Sequence, residues 1–270
     1  DGARNIAAYL ADSHFHPHVN SYREALDYLA SGVPTAVQGI PARTPANTAA
    51  HQTATERIEL EAVERMKNPH AIRSNALALA MADRYGVATW QVLDRYGFGA
   101  GEELGASLAF FIYHDRQGRP LKAKAVPYAR NGKRIKTHPK PVMQYPANAE
   151  SALYGLQLLD RQPEALVCLV ESEKTAIVAT LESQLEGIAD KLLFLAIGGA
   201  NGLTSSMARE LAGREVLILP DADHTGQYGA YGARDKLTTA GATVSIAPLS
   251  EVFPDHATPV GSDLADIFGF

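Results

Sequence analysis

The sequence predicts an α/β protein built on a mainly parallel sheet, and three observations support this class. Continuous apolar runs, typical of strands buried on both faces, recur along the second half of the chain. Helix-like stretches separate them, and acids or glycines follow the ends of the runs. The runs are ALVCLV from Ala165, LLFLAI from Leu192, VLIL from Val216 and TVSIAPL from Thr243.

The most informative stretch is EVLILPDADHTGQYGA, residues 215–230. Asp221 and Asp223 follow an apolar run, and a helical stretch opens at Gly226. With one residue between them on an extended backbone, both carboxylates point to the same side. Because ligands of open α/β sheets bind beyond the carboxyl ends of the strands, this pair indicates a functional site.

Further acids have similar positions. Glu171 ends the run that starts at Ala165, and Asp263 and Asp266 follow the last run. Carboxylates about 4 Å apart repel by roughly 4 kcal/mol per pair at an effective dielectric of about 20, so such a group requires a cation. Oxygen ligands favour Mg²⁺ or Mn²⁺, and the single cysteine, Cys168, excludes a multi-thiolate zinc site. The alternative for the aspartate pair is a helix N-cap and turn.

Basic charge is concentrated in one segment. Nine of the chain's 25 Lys and Arg residues, and no acid, lie between Arg116 and Ala149, although the whole chain has a net charge of -5. Such a segment favours a polyanion such as nucleic acid or a nucleotide. A solvated hairpin is the alternative. The candidate phosphate-binding residues are Lys122, Lys124, Lys133, Arg134, Lys136 and Lys140, joined by Lys174 in the first turn of the helix after Glu171. Lys174 could equally pair with a nearby acid.

The motifs VESEKTA, PDADHTG and SDLAD resemble, in order, those of the Toprim catalytic domain found in DnaG-type primases, topoisomerases and some nucleases. The likeness is greatest to primases of plasmids, phages and other mobile elements. Upstream, FFIYHDRQGRPLKAKAVPY and the segment HPKPVMQYPANAESALYGLQLL at 138–159 resemble the opening of a primase core, so the likeness covers about 105–270. Two positions depart from the pattern: Ser172 replaces the usual glycine, and Thr175 stands where some members have an acid.

The resemblance implies a Toprim, Rossmann-like domain at 161–270, preceded by a strand-rich, basic primase-core subdomain at 105–160. We expect a helical region at 56–104, with helices over 56–67 and 71–85 and a break at Gly86, after an N-terminal segment and linker at 1–55. The implied activity is primase-like synthesis of short primers from nucleoside triphosphates on single-stranded DNA. Glu171, Asp221 and Asp223 would be catalytic, and these three with Asp263 and Asp266 would hold Mg²⁺ or Mn²⁺. A replicative helicase is a candidate partner.

Two other functions use the same features. A Toprim nuclease would use these acids to hydrolyse phosphodiester bonds, and a non-catalytic nucleic-acid-binding replication module would use only the basic segment. A topoisomerase would require a nucleophilic tyrosine on a further large domain. No apolar run has the length of a membrane span, no signal peptide is recognisable, and one cysteine suits a reducing compartment, so we expect a cytoplasmic protein.

Overall fold

A computed structural model describes residues 56–103, 106–136, 143–199, 202–252 and 258–270. The predicted segment and linker at 1–55 lie outside the described residues. Within the described part, the chain forms four short helices, an antiparallel sheet, and a parallel sheet with helices around it.

The helices at the start are α1 (Leu60–Met66), α2 (Pro69–Ser74), α3 (Ala76–Tyr85) and α4 (Ala88–Arg95). The prediction of one helix over 71–85 was wrong, because Asn75 separates two helices. Its Oδ1 accepts hydrogen bonds from the N–H groups of Leu77 and Ala78, which caps α3. The predicted break at Gly86 is confirmed, since this residue ends α3 with a φ of +65°.

The antiparallel sheet has the order β1-β2-β3-β4. Its strands are β1 (Phe98–Glu103), β2 (Ala106–His114), β3 (Pro120–Pro127) and β4 (Met143–Tyr145). The segment FFIYHDRQGRPLKAKAVPY, which was expected in the strand-rich subdomain, forms the β2–β3 hairpin, in which Tyr113 lies opposite Lys122 and Phe111 opposite Lys124. Since side chains alternate along a strand, Lys122 and Lys124 lie on the same face of β3.

The four apolar runs form a parallel sheet of order β6-β5-β7-β8. Its strands are β5 (Leu166–Val170), β6 (Leu192–Ala196), β7 (Glu215–Ile218) and β8 (Thr243–Ile246). A 3₁₀-helix, Leu156–Arg161, precedes β5. The remaining helices are α5 (Glu173–Leu185), α6 (Ser205–Arg209), α7 (His224–Thr239), α8 (Leu249–Val252) and α9 (Leu264–Ile267).

The strand order places a topological switch point between β5 and β7. From β5 the chain passes through α5 to β6 on one side, whereas from β7 it passes through α7 to β8 on the other side. Crevices at such switch points, beyond the carboxyl ends of the strands, are the usual ligand sites of open α/β sheets. The fold therefore places Glu171 and Asp221, which follow β5 and β7, at this position.

A shared core joins the two sheets. Tyr154 pairs with Ala196 beside β6, and its ring contacts those of Phe111 and Tyr113 from the antiparallel sheet. The Tyr96 hydroxyl donates to the Phe194 carbonyl at 2.7 Å. Among the described residues, no helix is both long enough and apolar enough to cross a membrane.

Candidate active site

Glu171 and Asp221 meet at the switch point. The backbone N–H of Asp221 donates to Oε1 of Glu171 at 3.4 Å, and the preceding backbone pair, Leu219 N–H to Leu169 O, is 2.9 Å long. Among the described residues, the Asp221 carboxylate has no hydrogen-bond or ion-pair partner. The two acids predicted from different strands are thus neighbours at one edge of the sheet.

Gly226 allows this close approach. A Cβ atom at this position would lie 2.6 Å from Oε1 of Glu171 and 2.7 Å from the carbonyl oxygen of Asp221. Contacts of that length do not occur without displacement, so the first turn of α7 can lie against Glu171 only because residue 226 has no side chain.

Asp223 is the N-cap of α7, so the alternative interpretation of the pair as a helix start is correct for this residue. Its Oδ1 accepts from the Gly226 N–H at 2.7 Å. In the described part of the chain, no residue hydrogen-bonds to Oδ2, which leaves one carboxylate oxygen for a ligand. His224, which follows, is exposed.

Asp263 is largely neutralised by its neighbours. Oδ2 accepts from the Thr175 hydroxyl at 2.8 Å and lies 3.6 Å from the Lys174 ammonium. Oδ1 accepts from the N–H of Asp266, whose Oδ2 accepts from the N–H of Asp263, and the two form a capping box at α9. Thr175, which stands where some members of the resembled family have an acid, therefore donates a hydrogen bond to an acid from another element.

The gathered carboxylates change each other's ionisation. Burial, followed by the charges of Glu171, Asp263, Asp223 and Asp266, raises the pKa of Asp221 from 3.8 to about 8. Burial also raises the pKa of Glu171, and the charges of Asp223 and Asp263 raise it further. The hydrogen bond from the Asp221 N–H acts in the opposite direction and lowers this pKa. The acids thus oppose one another's ionisation, and in the described part of the chain no Lys or Arg forms an ion pair with Glu171, Asp221 or Asp223.

These acids do not already form a metal-binding set. Across the described ranges, no three His, Cys, Asp or Glu side chains stand together as ligands of a metal ion. The donor chemistry nevertheless fits a hard divalent cation, because Glu171, Asp221 and Asp223 offer oxygen only and Asp221 lacks a counter-charge.

Lys124 does not project freely toward solvent. Its ammonium lies 2.8 Å from Oε1 of Glu173 and 3.1 Å from Oε2, and 3.4 Å from the carbonyl oxygen of Gly198. The Tyr113 hydroxyl donates to the same Glu173 oxygen, Oε1. Glu173, which is only 3% exposed, thus connects β2 and β3 to the start of α5 through its contacts with Tyr113 and Lys124.

The other predicted basic residues occupy different surroundings. Lys122 is buried on the same face of β3 as Lys124. Lys174 pairs with Asp263, which was the alternative considered for it. Lys133, Arg134 and Lys136 are exposed after the turn that follows β3, and Lys140 lies outside the described residues.

Sequence reasoning missed Glu173 and Tyr113. A signal for Glu173 was present but was not used: Lys122 and Lys124 alternate with alanines, a pattern that would place both ammonium groups on one face of a partly buried strand, where at least one requires a counter-charge. Nothing in the spacing identified Glu173 as that counter-charge, because the two partners are 49 residues apart.

Residues 75–222 match a domain of unknown function, DUF6371. The chain belongs to the DUF6371 family. The range matched in this DUF6371 chain contains Glu171 and Asp221 and ends one residue before Asp223. No curated protein matches the sequence.

Several solved structures are similar to the DUF6371 chain at low identity. The primase fragment of the bacteriophage T7 primase–helicase is 16% identical, over 57% of this chain and 59% of that one, with a TM-score of 0.39. The zinc-binding and RNA polymerase domains of Aquifex aeolicus primase are 18% identical, over 77% and 54%, with a TM-score of 0.41. The E. coli primase catalytic core is 13% identical, over 69% and 72%, with a TM-score of 0.45.

The DUF6371 chain thus spans less than two thirds of the first two of these proteins. At identities and TM-scores this low, the case for a function depends on the residues of the site.

Proposed function

We propose that this chain contains a Toprim-type catalytic domain and acts as a primase-like nucleotidyltransferase. Its substrates would be nucleoside triphosphates, its template single-stranded DNA, and its cofactor Mg²⁺ or Mn²⁺. The observation that carries the proposal is the meeting of Glu171 and Asp221 at the switch point of the parallel sheet, where neither side chain has a cationic partner among the described residues. The order of the three motifs along the sequence supports it.

Glu171, Asp221 and Asp223 are the residues that would hold the cation. When bound, a divalent cation supplies polarisation of the triphosphate, alignment of the attacking hydroxyl and neutralisation of the leaving pyrophosphate. Asp221 has to be ionised to act as a ligand, and its raised pKa means that it holds a proton on its carboxylate near neutral pH until a positive charge arrives. Glu171 would complete the ligand set or accept a proton from the attacking hydroxyl.

The basic residues supply positive charge that would bind the phosphates of the substrate and template. Lys122 and Lys124 lie on the face of β3 that is turned toward the loop after β6, and Lys124 reaches the Gly198 carbonyl of that loop. Exposed Lys133, Arg134 and Lys136 would attract the template backbone without regard to its sequence. The proposed partner of this activity is a replicative helicase, which the family resemblance implies.

The proposal can be tested by incubating the chain with single-stranded DNA, labelled nucleoside triphosphates and Mg²⁺ or Mn²⁺, then separating the products on a sequencing gel. Asp221→Asn is the test variant, because it keeps the shape of the side chain and removes the charge. Asp235→Asn is the matched control, since Asp235 is an exposed acid on α7.

We expect short labelled products from the wild type and from Asp235→Asn, and none from Asp221→Asn. Shortened DNA that requires Asp221 would replace the proposal with a Toprim nuclease. Retained DNA binding with no metal-dependent product would replace it with a non-catalytic binding module.

A further inference from the structure

The acids of the site stand on two segments that follow different strands. Glu171 follows β5, whereas Asp221 and Asp223 follow β7. Ionised carboxylates that lie close together repel one another, so the segments tend to separate unless other bonds connect them. The contacts that connect them therefore decide how well the acids are placed.

The backbone between the two aspartates is bound to the loop that precedes α9. The N–H of Ala222 donates to the Ser262 carbonyl oxygen at 2.8 Å, and the Ala222 carbonyl oxygen accepts from the Gly261 N–H at 3.1 Å. Gly261 has a φ of +87°, a conformation that residues with a side chain rarely adopt. The place of the aspartates thus depends on where this loop is held.

Thr175 connects the loop to the segment after β5. Its hydroxyl donates to Oδ2 of Asp263, the residue after Ser262, at 2.8 Å. The same hydroxyl lies 2.8 Å from that of Ser172, the residue after Glu171. Because the single hydroxyl proton of Thr175 is given to the carboxylate, the Ser172 hydroxyl is the donor in this second bond. A continuous chain of hydrogen bonds therefore joins the segments that carry the acids.

The hydroxyl gives this connection its direction. Thr175 is only 1% exposed, so water does not compete for its bond to Asp263. The Lys174 ammonium also faces Oδ2 of Asp263, but at 3.6 Å it lies beyond hydrogen-bond length. Lys174 thus supplies charge through a long, flexible side chain, whereas the short side chain of Thr175 fixes the carboxylate in one place.

We infer that Thr175 is a positioning residue for the candidate ligands. Through its bond to Asp263, its hydroxyl fixes the loop before α9, and this loop holds the backbone between Asp221 and Asp223 beside the end of β5. The role of the aspartates as cation ligands rests on the proposed function, whereas the connection itself belongs to the metal-free protein. An experiment in EDTA therefore separates a failure of this inference from a failure of the proposed function.

The experiment is amide hydrogen exchange of the full chain in EDTA, followed by nuclear magnetic resonance. The test variant is Thr175→Val, which keeps the shape of the side chain and removes the hydroxyl, and Thr175→Ser restores the hydroxyl. Thr180→Val is the matched control, because it removes from the same helix a buried hydroxyl that bonds to Tyr96 and not to Asp263.

The measured quantity is the exchange rate of the Ala222 N–H relative to that of the Leu219 N–H. Leu219 lies on the same segment, and its N–H donates to the Leu169 carbonyl oxygen at 2.9 Å. Global unfolding exposes both amides alike, so the ratio of the two rates reports local opening at the loop. Mn²⁺ titration of the same variants at pH 8 is the second measurement.

The ratio should rise about tenfold or more in Thr175→Val, because a hydrogen bond to a charged group has been lost. It should change less than about twofold in Thr175→Ser and in Thr180→Val. Thr175→Val should also bind Mn²⁺ about tenfold more weakly than the wild type, as expected when a group that orients metal ligands is removed. Thr175→Ser and Thr180→Val should bind it within about twofold of the wild type.

A raised ratio in Thr175→Val, together with no Mn²⁺ binding by the wild type, would support the positioning role and refute the cation site of the proposed function. An unchanged ratio in folded Thr175→Val would overturn the inference. Equal increases in Thr175→Val and Thr180→Val would do the same, since they would reflect general destabilisation. A raised ratio with Mn²⁺ affinity equal to that of the wild type would show that the loop does not position the ligands.

Discussion

Replacing Asp221 by asparagine is expected to stabilise the metal-free protein at neutral pH. The pKa of Asp221 is raised from 3.8 to about 8, so the folded protein keeps a proton that the unfolded chain has released. The contribution of Asp221 to the free energy of unfolding of the wild type therefore falls as pH rises from about 4 to 8, since at this residue the unfolded state binds fewer protons than the folded state across that window. Asparagine resembles the protonated carboxyl and has no charge to lose.

The magnitude follows from 1.36 kcal/mol per pKa unit. Because the folded state keeps a proton that the unfolded chain releases, Asp221 lowers the free energy of unfolding by at most about 4 kcal/mol at pH 7 and about 1.5 kcal/mol at pH 5. Asp221→Asn should therefore gain more stability at pH 7 than at pH 5, by up to about 2.5 kcal/mol. Burial is the largest cause of the shift, followed by Glu171, so neutralising Glu171 should recover part of the same energy.

The assay is urea unfolding followed by far-ultraviolet circular dichroism at pH 5 and pH 7 in EDTA, with Asp235→Asn as the control. A higher midpoint for Asp221→Asn at pH 7, with a smaller gain at pH 5, is the expected result. An unchanged midpoint at pH 7, or the same gain at both values, would refute the reasoning that this carboxyl is buried among uncompensated acids.

Three further outcomes are expected. Glu173→Gln should lower the free energy of unfolding by about 3 kcal/mol or more, because it leaves the Lys124 ammonium partly buried without its counter-charge, and adding Lys124→Met should restore most of the loss in urea unfolding. Gly226→Ala should reduce metal-dependent turnover in the primer assay about tenfold or more by displacing Glu171, whereas Gly232→Ala, on the same helix with open space at its Cβ, should leave turnover unchanged. Mg²⁺ should raise the urea midpoint of the wild type more at pH 8 than at pH 5, since the cation competes with a proton for the carboxylates, and an equal effect at both values would contradict this.

Local patterns were sufficient to predict the strands and the acids that follow them. Three continuous apolar runs gave the buried strands β5, β6 and β7, because a strand covered on both faces requires apolar side chains at every position. The fourth run gave the edge strand β8, in which Thr243 is exposed. Glu171 and Asp221 could be placed at the same edge because the carboxyl ends of parallel strands share an edge. The strand order, which makes them neighbours, depends on which side each crossover takes, and no local pattern specifies that.

The pairing of charges could not be predicted, because it depends on contacts between distant parts of the chain. Thr175 and Asp263 are 88 residues apart, and their hydrogen bond exists only because α9 lies against the start of α5. Asp263 was expected to be a free ligand, yet the same contact brings Lys174 to its carboxylate. The split of the helix over 71–85 has a similar cause, since Asn75 also donates to the Leu108 carbonyl of β2.

The most direct test of the central claim, that the acids at the switch point hold a divalent cation, is titration of Mn²⁺ followed by the electron paramagnetic resonance signal of the free ion. The account predicts that the wild type and Asp235→Asn bind Mn²⁺ at pH 8, and that Asp221→Asn binds it at least about tenfold more weakly, having lost a charged ligand. Equal binding by the wild type and Asp221→Asn, or no binding by the wild type, would contradict the claim.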